Sequence, residues 1–221
     1  VNPADVRVSS FGLDVPAPVL RELDAVLAPE ERDAAPRVRV ARAVTRTLLG
    51  KELTIEPAAL VISRRCARCG HGSHGRPTVV DADISFSLSH SSAFAVVAIG
   101  RGDVRVGVDV EAVEPRVRLD ALAARVLNDD EHAAWSAIRD EGERLRTFLR
   151  AWTAREAYLK ALGIGIVTRL RDVPTHVEGW STGEIDVGDA WIAALAVDRS
   201  EFEVTHRAMA PLATSSGGTA G

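Results

Sequence analysis

Apolar residues first fall at helical spacing at Val19, Leu20, Leu23, Val26 and Leu27, which form one stripe and predict a short helix. Pro36 interrupts the pattern. A second helix is predicted from Arg37 to Leu49, with Val40, Ala41, Val44, Leu48 and Leu49 inward, Arg42 and Arg46 together on one face, and Gly50 as its stop. The stretch from Cys66 to Pro77 has no periodicity and is rich in Gly, His, Ser and Arg, which marks a loop. Beyond it, Ile84–Leu88, Ala93–Ile99 and Val104–Val110 read as strands, and Gly100-Arg101-Gly102-Asp103 predicts a hairpin between the last two. Leu119–Leu127 and Asp130–Ile138 read as short helices. The strongest helical signal spans Glu143–Leu162, where Leu145, Phe148, Leu149, Trp152, Leu159 and Leu162 recur in phase and Gly163 ends the run. His176–Trp180, Ala190–Val197 and Phe202–Met209 read as strands of a second sheet, and Ser215–Gly221 as a disordered tail.

Helices then strands, twice over, predict an α+β fold in which two similar α+β subdomains form a pseudo-twofold monomer. A boundary near Gly102 gives an N-terminal subdomain over 1–102, a C-terminal one over 103–212 and a tail over 213–221. The 221 residues are 46% hydrophobic and 26% charged, enough for a sizeable core and unlike a disordered or fibrous chain. A net charge of -4 argues against a dedicated nucleic-acid binder or a polybasic membrane binder. The apolar runs Ala93–Gly100 and Ala190–Val197 fall far short of the ~20 residues of a membrane span. Val1–Ser10 carries no signal-peptide pattern, so a cytoplasmic protein is expected. Two cysteines, Cys66 and Cys69, make no disulfide framework.

Candidate chemistry begins at Val106-Gly107-Val108-Asp109-Val110-Glu111, where a strand puts the valines on one face and both carboxylates on the other, ~6.6 Å apart along the chain. Two anions held together repel unless a cation sits between them, and a hard divalent ion such as Mg²⁺ suits such a pair. A solvated acidic face is the plainer reading, and spacing alone admits both. On the long helix, Glu156 falls in phase with Trp152 and Leu159, directing a carboxylate inward where it needs a partner. Either it pairs with Lys160 at the core edge, or it completes a metal site with Asp109 and Glu111 while Arg155 and Lys160 hold phosphate oxygens. His90, between Ser89 and Ser91, shares a strand face with Phe86 and Leu88, where a satisfied core histidine is the commoner case. Cys66, Cys69, His71 and His74 give four ligand types in nine residues, but with one CxxC and too tight a spacing for the usual zinc finger.

Together these residues resemble the 4′-phosphopantetheinyl transferase superfamily, in its surfactin-type, two-lobed monomeric branch. Val106-Gly-Val-Asp109-Val-Glu111 matches its V/I-G-V/I-D-x-E strand, and Trp152-Thr-Ala-Arg155-Glu156-Ala-Tyr-Leu-Lys160 its W-S/T-x-K-E-A/S-x-x-K helix. Ser89-His90-Ser91 matches S-H-S, and Gly75-Arg76-Pro77 matches G-K-P, so the likeness runs from roughly Glu30 to Gly163.

The resemblance implies transfer of the phosphopantetheine arm of coenzyme A to a serine of an acyl or peptidyl carrier protein, with release of adenosine 3′,5′-bisphosphate. A catalytically silent coenzyme A or carrier-binding module is the alternative. It further implies that Asp109, Glu111 and Glu156 hold Mg²⁺, that Glu156 is the base for the carrier serine, and that Asp109 and Lys160 complete the catalytic set. His74, Gly75, Arg76, Pro77, Ser89, His90, Arg155 and Lys160 would bind coenzyme A. Arg155 and Arg76 stand where the family has lysine, which turns a point charge into a planar fork. Arg32, Arg37, Arg42 and Arg46 are candidates for the 3′-phosphate, with Arg42 and Arg46 best placed. Arg116, Arg118 and Arg125, with Val117, Leu119, Leu122 and Val126, form the expected docking segment for an acidic carrier.

Overall fold

The computed structural model describes residues 4–64, 70, 75–115, 118–164, 169–174 and 176–210. In chain order the elements are β1 (Ala4–Gly12), α1 (Ala17–Leu23), α2 (Pro36–Leu53), β2 (Ile62–Ser63), β3 (Thr78–Val79), β4 (Ile84–Ser91), β5 (Phe94–Arg101) and β6 (Val106–Ala112). They continue with α3 (Leu119–Val126), α4 (Asp129–Ser136), α5 (Glu141–Leu162), β7 (Ser181–Ile185), β8 (Trp191–Val197) and β9 (Phe202–Ala208). The fold is α+β. No helix among the described residues is long and apolar enough to cross a membrane.

Two sheets carry the molecule, one in the order β4-β5-β1-β9 and one in the order β6-β8-β7. The expected hairpin between the second and third strand runs does not form. β5 instead pairs antiparallel with β4 across a tight turn at Ser92, whose φ is 51°, and its other edge is taken by β1. With both edges of β5 filled, the chain leaves through Gly102, at φ 75°, and β6 opens the second sheet against β8. β1 was not expected, although Val6 and Val8 alternate with Asp5, Arg7 and Ser9 and carry a strand signal. β9 was expected in the second sheet and lies in the first, parallel to β1. His176–Trp180 is not a strand; β7 begins just after it. Helix α2 runs past Gly50 to Leu53 and ends on Thr54 in the left-handed region. Gly50 is needed for closeness rather than termination, since a Cβ there would sit 2.6 Å from the Ile55 carbonyl oxygen.

The layers stack as α2, first sheet, second sheet and α5. Phe11, Val40, Val44, Phe86 and Val97 fill the space under α2. Val6, Val8 and Val96 meet Val106, Val108, Val110 and Leu195 between the sheets. On the far side, α3 and α4 close over Phe148, Leu149 and Leu159 of α5 with Trp135.

Two devices fix the second sheet in place. β6 pairs with β8 on one edge only, and the N–H groups on its free edge are met by serine hydroxyls of β4. Val106, Val108, Val110 and Ala112 donate to Ser85, Ser87, Ser89 and Ser91 at 3.1, 3.1, 3.4 and 3.1 Å. Side chains thus do for this edge what a backbone ladder would otherwise do. On the opposite side of the strand, α5 packs so tightly that a Cβ at Gly107 would lie 2.0 Å from the Ala157 carbonyl oxygen and 2.5 Å from the Ala161 nitrogen. Glycine is the one residue that admits this approach. It brings Glu156 and Lys160 down onto Asp109.

Candidate active site

The site forms where β4, β6 and α5 meet. Strand alternation turns Gly107, Asp109 and Glu111 toward α5 and sends the valines into the inter-sheet core. Asp109 is 5% exposed. Its Oδ1 accepts from Ser89 Oγ at 2.8 Å and from Lys160 Nζ at 2.6 Å, while Oδ2 is buried with no partner. Glu156, 7% exposed, likewise keeps a buried Oε1 with no partner. Glu111 accepts from Ser91 Oγ at 3.2 Å.

Burial pushes the Asp109 carboxyl above the usual range; Lys160 and Ser89 pull it back and Glu111 adds to the rise. Glu156 is raised by burial first and by Asp109 and Glu111 besides, with Lys160 opposing. The charges of the three carboxylates act on one another. Lys160 does not pair with Glu156 along the helix; it crosses to Asp109 and Ser89.

Next to these carboxylates, with Lys160 shared between the two, opens a cleft of about 330 Å³, walled by Arg42, Arg64, Gly75, Pro77, His90 and Lys160. His90 is not a core histidine but is exposed at the cleft, and its partial burial, then the charges of Lys160 and Arg42, hold it below the ordinary histidine value. Burial and Arg42 lower Arg64 in the same way. Basic groups gathered in one cleft make a site for an anion, whose arrival favours their charged forms. The arrangement offers a polyanion a basic wall, with hard oxygen donors next to it across Lys160.

The comparisons with known proteins agree with that chemistry. Residues 105–209 match the family model described as the 4′-phosphopantetheinyl transferase superfamily. The 4′-phosphopantetheinyl transferase HetI of Nostoc sp. is 30% identical over an alignment of 217 positions that covers 87% of this chain and 87% of that protein. The chain belongs to the 4′-phosphopantetheinyl transferase superfamily. The putative 4′-phosphopantetheinyl transferase slr0495 of Synechocystis sp. is 29% identical over 60% of this chain and 51% of that protein. The 4′-phosphopantetheinyl transferase gsp of Aneurinibacillus migulanus is 31% identical over 42% of this chain and 37% of that protein.

Within this phosphopantetheinyl transferase the structure sorts the basic residues that the motifs suggested. Arg155 does not reach the cleft. Its guanidinium, on a buried side chain, donates to the Leu170 carbonyl at 3.0 Å, to the Ala151 carbonyl at 3.2 Å and to Glu131 at 2.6 Å. One residue along an α-helix is a turn of ~100°, which carries Arg155 away from the face of Glu156. Arg46 is also structural: it pairs with Glu31 at 2.6 Å and donates to the carbonyls of Pro57 and Leu60. Arg37 is paired with Asp14, and Arg32 donates to the Leu27 carbonyl. Of the four early arginines, Arg42 lines the cleft.

Arg76 borders the cleft with its stem, but its guanidinium ties the Ala161 and Val106 carbonyls and Ser85 together and so locks α5 to the seam. Ser89 points to the carboxylates rather than the cleft wall. His74, with Cys66, Cys69, His71, Arg116, Val117 and the tail beyond 210, lies outside the described residues. Arg64 is the wall residue that sequence reasoning missed; its signal was a basic pair, Arg64-Arg65, opening the loop. In the expected docking segment, Val126 is buried and Leu119 and Leu122 pack inward, leaving Arg118 and Arg125 exposed.

Proposed function

We propose that the cleft holds coenzyme A with its phosphates against Arg42, Arg64, His90 and Lys160, and that Asp109, Glu111 and Glu156 hold Mg²⁺ beneath the diphosphate. The observation that carries this reading is the pair of buried carboxylate oxygens without partners, Asp109 Oδ2 and Glu156 Oε1, joined to a basic cleft by Lys160, which lines the cleft and donates to Asp109. An unpaired buried anion is costly to hold, and a bound cation removes the cost. Among the described residues no three His, Cys, Asp or Glu side chains converge closely enough to hold a metal by themselves. As they stand, Asp109, Glu111 and Glu156 do not form a closed three-carboxylate site, so the ion would bind one or two of them directly and the rest through water, with substrate phosphates completing its shell. When bound, the ion would neutralise charge gathering on the diphosphate.

This superfamily member transfers the phosphopantetheine group to carrier proteins. The carrier serine oxygen attacks the phosphorus that bears the pantetheine arm. The new phosphorus–oxygen bond forms as the bond to the bridging oxygen breaks, and adenosine 3′,5′-bisphosphate leaves. Glu156 takes the serine proton: burial and Asp109 raise its affinity for a proton, as a base working near neutrality needs. Lys160, on leaving Asp109, faces the departing phosphate oxygens and offsets their charge. The test is intact mass spectrometry of an apo carrier domain incubated with this protein, coenzyme A and Mg²⁺. Addition of one phosphopantetheine that chelator suppresses supports the reading. Modification at full rate in chelator contradicts the metal, and no modification of any carrier contradicts the activity.

A further inference from the structure

The serines along the β4–β6 seam do more than close an edge. A hydroxyl has one proton and two lone pairs. At Ser89 the N–H of Val110, at 3.4 Å, and Lys160 Nζ, at 2.9 Å, donate to the oxygen, so its own proton goes to Asp109 Oδ1 at 2.8 Å. Ser91 repeats the pattern two residues on: it accepts from the Ala112 N–H at 3.1 Å and donates to Glu111 Oε2 at 3.2 Å. Each of these serines receives from one backbone N–H of β6 and gives its proton to the side chain of the residue just before it. Ser87 accepts from Val108 at 3.1 Å in the same way, but the residue before Val108 is Gly107, and there is no carboxylate to meet.

We infer that Ser91 is a positioning residue: it fixes the Glu111 carboxylate in the orientation that faces the ion, and it does so from the opposite sheet. The inference rests on the metal reading above. Accepting from a backbone N–H fixes the Ser91 oxygen and leaves its proton few directions, one of which meets the Glu111 carboxylate. The seam register therefore sets the spacing between the coenzyme A wall, which includes His90 of β4, and the acidic pair on β6. Partners of this kind behind a metal ligand typically contribute 10- to 100-fold in metal affinity.

The experiment measures Mn²⁺ binding by electron paramagnetic resonance on the full chain with coenzyme A present and coenzyme A alone as blank. The Mg²⁺ dependence of carrier modification is followed in parallel. Ser91→Ala should raise the half-saturating Mn²⁺ and Mg²⁺ concentrations by about tenfold, leaving the coenzyme A Michaelis constant at saturating metal unchanged. Ser91→Thr, which keeps the hydroxyl, should restore both. Ser91→Cys keeps the volume with a weaker donor, should fall between, and serves if the alanine variant does not fold. Ser87→Ala loses the same kind of seam bond and should lower the melting temperature without moving either metal midpoint. Parent-like midpoints in Ser91→Ala, or equal shifts in Ser87→Ala, would overturn the inference. Absence of Mn²⁺ binding by the parent protein would overturn the metal reading on which it rests.

Discussion

Arg155 and Glu156 are neighbours on α5, both almost fully buried, and they sit in opposite circumstances. Arg155 has partners at all three guanidinium nitrogens: the Ala151 carbonyl one turn back on α5, the Leu170 carbonyl, and Glu131, which also closes the capping box of α4 with Asn128. Glu156 has an orphan oxygen and two carboxylates for company, and its fold disfavours its charge. A buried charge with every hydrogen-bonding group matched is part of the scaffold. One left short beside like charges is held for something that is not part of the chain. The same helix thus presents a finished face to α4 and an unfinished one to the carboxylates of β6.

The largest effects expected from breaking this contrast are on catalysis. Glu156→Gln and Asp109→Ala should each reduce transfer by a thousandfold or more, about 4 kcal/mol in the barrier, with far smaller losses in coenzyme A binding. Equal losses in both would make Glu156 a ligand and not the base. Arg155→Met should act in the other currency: removing one partner of a buried ion pair and leaving Glu131 without it should destabilise the fold by about 3 kcal/mol. Urea midpoints measure it, and a loss of transfer without a shift in midpoint would put Arg155 back among the substrate contacts.

A third test uses pH. Asp109 and Glu156 bind protons more tightly in the folded state than when unfolded. Between the ordinary carboxylate values and the raised ones the folded chain carries more protons, so stability falls as pH rises through that window. The melting temperature of the metal-free protein should decline across it, and Mg²⁺ with coenzyme A should flatten the decline. A metal-free profile already flat would mean the two acids are not strained. The smallest effect is expected at the periphery, where Arg118→Glu should raise the apparent Michaelis constant for carrier severalfold in a salt-sensitive way and leave that for coenzyme A alone.

The acidic floor was legible in the sequence because it follows local periodicities. Alternation put Asp109 and Glu111 on one side of a strand, and helical phase turned Glu156 inward. What was not legible depended on chain segments far apart. Arg155 and Arg46 carry the same charge as true phosphate contacts, and only the arrival of Leu170, Glu131 and Leu60 decides that they are structural. The crossing of Lys160 to Asp109 depends on Gly107 letting the helix down onto the strand. The pairing of β9 with β1 joins opposite ends of the chain, and no short-range pattern records it. The seam serines were read as donors flanking a histidine. Their regular spacing along β4 matches the free edge of β6 only once the two strands lie side by side.

The central claim is that the unfinished face of α5 costs the empty fold stability that its ligands restore. Thermal unfolding of Glu156→Gln beside the parent protein, both in chelator at neutral pH, tests it most directly, because glutamine mimics the neutral acid at nearly unchanged volume. The account predicts a higher melting temperature for the inactive variant than for the parent. A lower one would show that the Glu156 charge is already satisfied by the chain, and would contradict the site.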